Sequence, residues 1–445
     1  MSQIERMSQL IPQLDYSLPD SPVSVVESRE LLQVSNAGNA QLGPNQSTQF
    51  IISSSDRVLD GASVWFSLEM KTDVLNAQPK AITDIFKSVE VLMGGQRIEL
   101  CDDVALLETV MRRVLYSNNY RKFDNQPGLV YDDSRLNVSP GTVVDGDPAP
   151  ADAVAALTAN NGGVGGTDTA RGAKVRAMFN GYTRFAFKLN SIGSLGSGKF
   201  LPLLYSNGLE LRFTLHNTNQ AMSSVTGTPA NSNFSVRNFK MHYSTIKLTK
   251  QASSMLSEYH RSGQLQLHIH SFAHSLKTST GSFSHEIPSN KNVCTDVIHI
   301  QRASANLADH KEDSHRYIGY SSASFVESQL TYADNHRTPN KALQGSLEAY
   351  MHMRNSGPVQ SVHSDTVSFE DFAGDFLPAN QVSGLMIHSL ETLAEADLNG
   401  LSTKNGRKLV IDYNDTSNTQ VQNDFYIGYE SVITLQADGS VSVED

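Results

Sequence analysis

The fold class of this chain is decided by the stretch Val89-Glu-Val-Leu-Met-Gly-Gly-Gln-Arg-Ile-Glu-Leu100. Apolar and polar residues alternate on both sides of Gly94-Gly95, which is the period of β-strands, and the glycine pair predicts a tight hairpin. Similar alternating runs, bounded by Gly, Asn, Asp, Ser or Pro, recur along the chain at 63–70, 182–189, 209–215, 240–248, 265–270, 408–413 and 425–435. This pattern predicts a mainly β protein built from sandwiches whose strands cross between two sheets.

Length and composition indicate an acidic, folded protein. The 445 residues include 35 Lys and Arg against 46 Asp and Glu, which gives a net charge of −11, and 39% are hydrophobic. This length predicts more than one domain, and the hydrophobic fraction is too high for a disordered chain. Direct, sequence-specific binding of nucleic acid is not expected, because it needs clustered Lys and Arg. The one compact basic group, Arg112, Arg113, Arg121 and Lys122, is too small to change that expectation.

Neither a membrane span nor a disulfide framework is expected. No stretch approaches the roughly 20 apolar residues of a membrane-spanning helix, and residues 1–20 lack the apolar run of a secretory signal. Cys101 and Cys294 are the only cysteines, which is too few for a disulfide framework or a cysteine-based zinc site. The sequence therefore predicts a soluble protein made in a reducing compartment and stabilised by burial of apolar side chains.

Two helices interrupt the β pattern. Residues 102–115 combine an acidic start, a basic end and one apolar face, which matches both the helix period and the helix dipole. Residues 255–261 predict a shorter helix, or only a turn, that joins two halves of the chain. Residues 137–174 carry almost no large side chains and predict a long exposed loop.

A weak repeat supports a division into two similar sandwiches joined near residue 255. Sliding 89–113 onto 329–353, an offset of 240, gives four identities: Arg97 with Arg337, Leu107 with Leu347, Glu108 with Glu348 and Met111 with Met351. Four identities are little better than chance. The order of elements is more persuasive, because each half ends with a strand, a loop and a final strand that contains tyrosine.

One stretch partly matches the pattern of a phosphate-binding loop. Residues 193–200, Gly-Ser-Leu-Gly-Ser-Gly-Lys-Phe, fit G-x-x-x-x-G-K but end in Phe200, where Ser or Thr would supply the magnesium ligand. A strand rather than a helix is predicted to follow, so the amides that would hold a phosphate are missing. The stretch predicts a glycine turn and no cofactor.

Histidines suggest a metal site only weakly. His268 and His270 alternate on one strand, with His274 and His285 nearby, and imidazoles on one face can converge on an ion. No Cys or carboxylate spacing completes such a site, so histidines facing solvent on an edge or at an interface are the favoured interpretation. Residues 309–315 are rich in ligand types but predict first a hydrated loop.

No catalytic residue is predicted. The sequence contains no G-x-S-x-G or H-E-x-x-H motif, and Cys101 is interpreted as a small packing residue because no cation adjoins it. Trp65, the single tryptophan, is predicted to lie in the core beside Phe66. The sequence thus predicts a protein that is not an enzyme and has no catalytic, cofactor-binding or metal residues.

The order of these elements carries a family resemblance. The elements are the hairpin at Gly94-Gly95, the helix 102–115, the loop 137–174, Phe200-Leu-Pro-Leu-Leu before Gly208-Leu-Glu-Leu-Arg-Phe, Phe369-Glu-Asp-Phe-Ala-Gly374, and Asn399-Gly400 before 408–413. A chain with this order resembles the double jelly-roll major capsid proteins of icosahedral double-stranded DNA viruses, especially those of polinton-like viruses and virophages.

The resemblance implies two tandem eight-stranded jelly-roll sandwiches. It divides the chain into an N-terminal arm at 1–24, a first jelly roll at 25–254 with loop 137–174 exposed, and a second jelly roll at 255–445. The implied function is a major capsid protein whose homotrimers, pseudo-hexagonal in outline, tile a virus shell after synthesis and assembly inside the host cell. The implied partners are neighbouring capsomers, minor capsid proteins and penton proteins.

The arm at 1–24 has two interpretations. Its apolar residues among polar ones are typical of a segment that docks beneath the shell on a partner or an inner membrane, but equally of a frayed terminus. Docking is favoured, because so many apolar side chains are costly to leave in water.

Two other functions stay open at this point. A β-sandwich that binds a receptor or carbohydrate could stack sugars on Tyr116, Tyr120 or Tyr131, although one tryptophan argues against it. A β-sandwich hydrolase is disfavoured by the absence of a nucleophile or metal constellation.

Overall fold

The computed structural model describes a large part of the chain. The described residues are 25–72, 77–78, 82–111, 182–196, 199–221, 223–224, 233–263, 265–304, 321–322, 325–333, 336–354, 382–383, 385–390, 400–416 and 418–445. The predicted arm 1–24, the loop 137–174, the segment 309–315 and the block 369–374 lie outside them, as do the basic group at 112–122 and Tyr116, Tyr120 and Tyr131.

The described residues form mainly strands. The first half contains β1 (Val26–Ser35), β2 (Gln41–Leu42), β3 (Ser47–Ile52), β4 (Arg57–Thr72), β5 (Ala77–Gln78), β6 (Phe86–Met93), β7 (Gln96–Asp102), β8 (Thr183–Phe187), β9 (Phe200–Leu201), β10 (Leu209–Leu215), β11 (Ser223–Ser224) and β12 (Phe234–Leu248). The second half contains β13 (Gln266–Thr280), β14 (Phe283–Ile287), β15 (Val293–Ala303), β16 (Ser321–Ser322), β17 (Phe325–Tyr332), β18 (His336–Gln344), β19 (Val382–Ser383), β20 (Leu385–Ser389), β21 (Leu409–Asp415), β22 (Gln420–Leu435) and β23 (Val441–Glu444).

Helices are few and short. The α-helices are α1 (Val104–Val110), α2 (Gly193–Gly196), α3 (Thr218–Ala221), α4 (Lys250–Arg261) and α5 (Gly345–Arg354), and 3₁₀ turns occupy Ile82–Ile85 and Leu203–Tyr205. Among the described residues, no helix is both long enough and apolar enough to cross a membrane.

The two halves have the same strand topology. In the first half, one sheet has the order β1-β12-β4-β8 and the other β3-β10-β6-β7; in the second half, the orders are β13-β22-β15-β20 and β14-β21-β17-β18. When the eight principal strands of each half are counted along the chain, both halves read 1-8-3-6 in one sheet and 2-7-4-5 in the other. This arrangement is the jelly roll, so the predicted fold class, two tandem eight-stranded jelly rolls, is confirmed.

The repeat found in the sequence matches this topology. Strands four and five and the following helix are β6, β7 and α1 in the first half and β17, β18 and α5 in the second, close to the offset of 240 residues. Gly94 and Gly95 both have positive φ, 58° and 82°, and connect β6 to β7 in the predicted two-residue hairpin.

Both predicted helices differ from the structure at their starts. Asp102 still pairs with Ser88 in the β6–β7 ladder, so α1 begins at Val104, after Asp103 in a left-handed conformation. The predicted end of this helix, Leu115, lies outside the described residues. The second helix begins at Lys250 rather than 255 and makes three turns. Thr249, which follows the last residue of β12 and has an extended backbone, is the N-cap of this helix, so the helix starts directly after the strand.

The apolar core runs through both halves. Phe50, Phe66, Phe213 and Phe239 pack with ring centroids 4.8–6.1 Å apart between the two sheets of the first half. The same cluster continues into the second half, where it includes Phe272 and Tyr426. Aromatic pairs at such spacings add to the stabilisation from burial alone. The two sandwiches therefore share a continuous core.

Trp65 is not part of that core, contrary to the sequence prediction. Phe66 points between the sheets, and because successive side chains of a strand alternate, Trp65 lies on the outward face of β4. It stacks flat on His242 of β12, with ring centroids 3.7 Å apart, and His242 hydrogen-bonds Ser67 on the same face.

Candidate functional site

A buried ionic cluster joins the two halves. Arg302 of β15 is 2% exposed and contacts Asp424 of β22 at 2.8 Å and Asp103, the residue before α1, at 3.1 Å. The hydroxyl of Tyr426 donates to the backbone oxygen of Asp103 at 2.9 Å, and His274 contacts Asp424 at 3.0 Å. One guanidinium from the second half thus balances a carboxylate from each half.

Burial and charge shift the pKa values of this cluster. Burial raises the pKa of the Tyr426 hydroxyl well above its usual range, and the carboxylates of Asp103 and Asp424 raise it further. Burial by itself would lower the pKa of Arg302, but Asp424 and Asp103 more than offset that effect. Arg302 is therefore a fixed positive charge and Tyr426 a fixed hydrogen-bond donor. The geometry suits a permanent structural link.

A second link between the halves is made by Glu99 of β7. Its carboxylate accepts hydrogen bonds from the backbone N–H of Gly193 at 2.7 Å, from that of Ser194 at 3.0 Å, and from the hydroxyl of Ser271 on β13 at 3.0 Å. Burial raises the pKa of Glu99, while those hydrogen bonds oppose the rise. Glu99 thereby ties the turn at α2 and the first strand of the second half together.

The stretch that resembles a phosphate loop is accounted for by this contact. The N–H groups of Gly193 and Ser194 point to the Glu99 carboxylate, so a protein carboxylate stands where a phosphate would be held. The predicted glycine turn is one helical turn, α2, packed against β13. A Cβ on Gly193 would overlap the backbone oxygen of His270, which explains glycine at this position.

Histidines on β13 converge on a carboxylate. His268 contacts one oxygen of Glu430 at 2.6 Å and His270 contacts the other at 3.0 Å, on the neighbouring strand β22. Burial lowers the pKa of His270, but Glu430 and Asp296 more than offset this and hold it above its usual value. Both imidazoles therefore serve as partners of Glu430, on the edge strand of this sheet.

The other two histidines named from the sequence lie elsewhere. His274 belongs to the ionic cluster with Asp424, and His285 of β14 packs against Phe425, where burial lowers its pKa. Within the described residues, the one group whose atoms are close enough to ligate a cation is Asp103, His274 and Asp424. Arg302 already contacts both of those carboxylates, so a guanidinium supplies the positive charge there.

The two cysteines are buried and free. Burial raises the pKa of the Cys101 thiol well above its usual range, and the nearby carboxylates of Glu99 and Glu108 raise it further. Burial also raises the pKa of Cys294. Neither is a thiolate at neutral pH, which agrees with Cys101 as a packing residue.

What sequence reasoning missed is the role of the acidic residues. Glu99, Asp103 and Glu108 were assigned to a strand or helix, whereas Glu99 and Asp103 bond partners from the second half and Glu108 accepts the N–H groups of Asn190 and Ser191 at 2.6 and 2.7 Å. For Glu99 no local signal was present, because alternation places it with Arg97 on the polar face of the strand, yet Glu99 and Glu108 are only 3% and 1% exposed.

Known structures share this architecture over nearly their whole length. The chain is similar to the Faustovirus major capsid protein, with a TM-score of 0.59 and 8% identity, covering 98% of this chain and 94% of that one. It is also similar to VP54 of PBCV-1, fitted into the virophage Sputnik, with a TM-score of 0.56 and 11% identity over 96% and 98%. The mavirus major capsid protein matches with a TM-score of 0.51 and 11% identity over 98% and 93%.

These likenesses establish the fold. No protein-family model and no curated protein sequence matches the chain. At 8–11% identity the similarity lies in topology rather than in shared residues. The chain has the double jelly-roll fold of viral major capsid proteins, as the resemblance read from the sequence predicted.

Proposed function

We propose that this chain is a major capsid protein whose homotrimers, pseudo-hexagonal in outline, tile an icosahedral virus shell. The observation that carries the proposal is the repeated 1-8-3-6 and 2-7-4-5 strand topology of the described residues. The fold is similar to that of structures from Faustovirus, Sputnik and mavirus, and each of these matches covers at least 92% of both chains. A shell needs stiff building blocks, and a continuous core with buried ionic links between two sandwiches supplies one.

The structural role accounts for the chemistry of the site. The strongest polar clusters tie one half of the chain to the other, and the thiols, the glycine turn and most of the histidines are engaged in packing or hydrogen bonds. Such groups hold a shape, which is the task of a shell protein. A role as an enzyme gains no support from these contacts.

The remaining parts of the proposal rest on the family resemblance. The division into jelly rolls at 25–254 and 255–445 is supported by α4, which connects the last strand of the first half to the first strand of the second, and the arm at 1–24 rests on the resemblance alone. Neighbouring capsomers, minor capsid proteins and penton proteins are the partners that a shell requires. The arm would contact them or an inner membrane, in a virion assembled inside the host cell.

Within the described residues, no observation favours the alternative, a virion or surface protein that binds a receptor or carbohydrate, and Tyr116, Tyr120 and Tyr131 lie outside those residues. Sugar binding needs an aromatic face open to the ligand. One face of the Trp65 ring is covered by His242, with an angle of 4° between the two rings.

The proposal is tested by the mass of the purified protein in solution. Light scattering should give three times the chain mass of 48.6 kDa, and negative-stain microscopy of the same sample should show particles with a hexagonal outline. A protein that stays monomeric over a wide concentration range would contradict the proposal, and glycan and hydrolase substrate screens would follow.

A further inference from the structure

The aromatic core of the second half holds a histidine where that of the first half holds a phenylalanine. The ring of Phe66, on the third principal strand of the first half, lies 5.9, 5.2 and 6.1 Å from the phenylalanine rings of the second, seventh and eighth strands. The ring of His299, on the third principal strand of the second half, lies 6.1, 5.6 and 4.7 Å from the aromatic rings of the same three strands, Phe283, Tyr413 and Phe425. The two side chains thus occupy equivalent positions, and only the histidine can take up a proton.

A second buried histidine lies in the same sandwich and contacts helix α5. His388 of β20 has no exposed surface, and alternation puts it on the face of β20 that carries Met386, which pairs with His299 of β15. Its Nδ1 atom lies 3.1 Å from Nε2 of His352 on α5, so one ring donates a hydrogen bond and the other accepts it. The equivalent strand of the first half, β8, carries Phe187 in its aromatic core and no histidine.

These three histidines are neutral at pH 7. Burial lowers the pKa of His352 and of His388, and the nearby imidazoles of His352 and His299 lower that of His388 further. Burial lowers the pKa of His299 to about 4, although its hydrogen bond with Asn423 and the carboxylate of Asp424 oppose the fall. Within the described part of the chain, Nδ1 of His299 and Nε2 of His388 are buried without a hydrogen-bond partner.

Among the described side chains, little negative charge faces the imidazole pair. Glu348 lies one helical turn before His352 on α5, and its carboxylate accepts the N–H of Gln344 at 2.8 Å. No other titratable residue occurs on β20, and His299 is the titratable residue on the same face of β15. The remaining titratable groups on the strands packed around α5 and β20 lie on the opposite face of β15, line a surface hollow, are exposed, or contact the Phe425 ring: Asp296 and Arg302, Glu327, Lys341, and His285.

Acid breaks the contact between the two imidazoles. A neutral pair shares one N–H···N hydrogen bond, and a pair with one added proton keeps it, because an imidazolium can donate to a neutral ring. A second added proton puts an N–H on both facing nitrogens, so two donors and two positive charges meet in a buried place. Separation of α5 from β20 relieves this repulsion. It exposes the apolar side of α5, whose residues Ala349, Tyr350 and Met353 are at most 7% exposed.

We propose that His352 and His388 form an acid-sensitive latch: when both imidazoles are protonated, α5 separates from β20 and the second sandwich loosens, while the first sandwich stays closed. In the first sandwich, the aromatic core positions are phenylalanines, and α1 is held by Glu108, which accepts two backbone N–H groups. His216, a buried histidine of that half, lies 3.4 Å from a carboxylate oxygen of Asp103. The latch goes beyond the proposed function, because it belongs to the folded chain. In a shell, it would make an acidic compartment the signal for loosening.

Hydrogen exchange of the full-length protein at pH 7, 6 and 5, followed by mass spectrometry, measures the latch. Exchange rates divided by those of an unstructured peptide at the same pH give a protection factor for each segment. With the ordinary histidine pKa of about 6.5 in the open state, an opening that takes up one proton becomes roughly 8-fold more frequent between pH 6 and 5, and one that takes up two becomes roughly 60-fold more frequent. Protection of α5 and β20 should therefore fall by up to roughly 60-fold, and that of α1 and β8 by less than roughly 3-fold.

Variants assign the response to the pair. His352→Leu with His388→Phe removes both titrating groups and gives β20 the residue type that β8 has at Phe187, so α5 and β20 should keep their protection down to pH 5. His352→Gln alone perturbs the core less and leaves one titrating group, so the fall should shrink to roughly 8-fold. His268→Gln changes a histidine of the same half that contacts Glu430 outside the latch, and this matched control should respond as the wild type does.

The outcomes separate the latch from other causes. Equal losses of protection in the two halves of the wild type would overturn it, as would a response that is unchanged in His352→Gln, which decides the matter if the double variant does not fold. A His268→Gln control that loses the response would overturn the assignment to this pair. All of these results are read on the chain itself, so the capsid proposal stands or falls separately, on its own mass measurement.

Discussion

Replacing Arg302 with methionine tests whether the ionic cluster holds the two halves together. Methionine keeps much of the length of the side chain but removes the charge that Asp424 and Asp103 share. The side chain of Asp424 has no exposed surface, and that of Asp103 is 14% exposed, so water cannot replace the lost guanidinium at Asp424. His274 and Gln422 still contact Asp424, but neither is a permanent cation.

The expected cost follows from this burial. Removing one partner of a buried ion pair leaves a carboxylate in a medium of low polarity, which costs about 3–5 kcal/mol of the free energy of unfolding. An exposed pair on the same protein sets the scale for comparison. Arg184 is 77% exposed where it meets Glu69 at 3.2 Å, and Arg184→Met should cost about 0–1 kcal/mol.

Urea unfolding at neutral pH measures both changes. Emission from Trp65, the single tryptophan, reports on the first half, and far-ultraviolet circular dichroism reports on both. The double variant Arg302→Met with Asp424→Asn removes the stranded charge and should recover a large part of the loss. If Arg302→Met lies within about 1 kcal/mol of the wild type, or if the second substitution recovers nothing, the cluster does not stabilise the fold as argued.

Two further predictions concern packing and pH. Gly193→Ala should lower the free energy of unfolding by about 1–3 kcal/mol in thermal melts, because the added Cβ would overlap the His270 backbone. Gly196→Ala, in the same turn, adds a Cβ that meets no atom within 4 Å and should change the free energy of unfolding by less than about 1 kcal/mol. Equal effects of the two substitutions would contradict the packing argument. Burial lowers the pKa of His299 from 6.5 to about 4, so the unfolded chain binds more protons than the folded chain between these values. The free energy of unfolding therefore keeps the full contribution of neutral His299 above pH 6.5 and loses roughly 3 kcal/mol of it as the pH falls towards 4. In the His299→Phe variant, the urea midpoint should fall less steeply over that pH range. An unchanged slope in that variant would show that other groups set the pH dependence.

The fold was predictable because its signals are local. Alternation along strands such as Leu209–Leu215 and the Gly94-Gly95 turn depend on neighbouring residues, so they can be read without knowing the tertiary structure. Element starts were less predictable. Asp102 looks like the first residue of a helix, yet its pairing with Ser88 across the hairpin keeps it in a strand. A distant partner of this kind overrides a local preference.

The candidate site was predicted only in part. Histidines 268 and 270 were placed on one strand face, and the structure brings both onto Glu430, a residue 160 positions away from His270. Their partner could not be identified, because strand register between β13 and β22 is set by packing of the whole sheet. Trp65 was assigned to the core on hydrophobicity, but alternation with Phe66 places one of the two outside, and Phe66 is the one buried.

The amino-acid pattern alone is enough to give the secondary structure class, the two similar halves and the order of elements that carries the resemblance to capsid proteins. These depend on periodicity and turn chemistry, which act over a few residues. The folded structure is needed to show which carboxylates join the halves and which apolar residues stay exposed. Leu107 and Leu347 show the reason: they occupy equivalent positions in equivalent helices, yet one is buried and the other is exposed. Burial depends on what another part of the chain covers, and no local pattern encodes that.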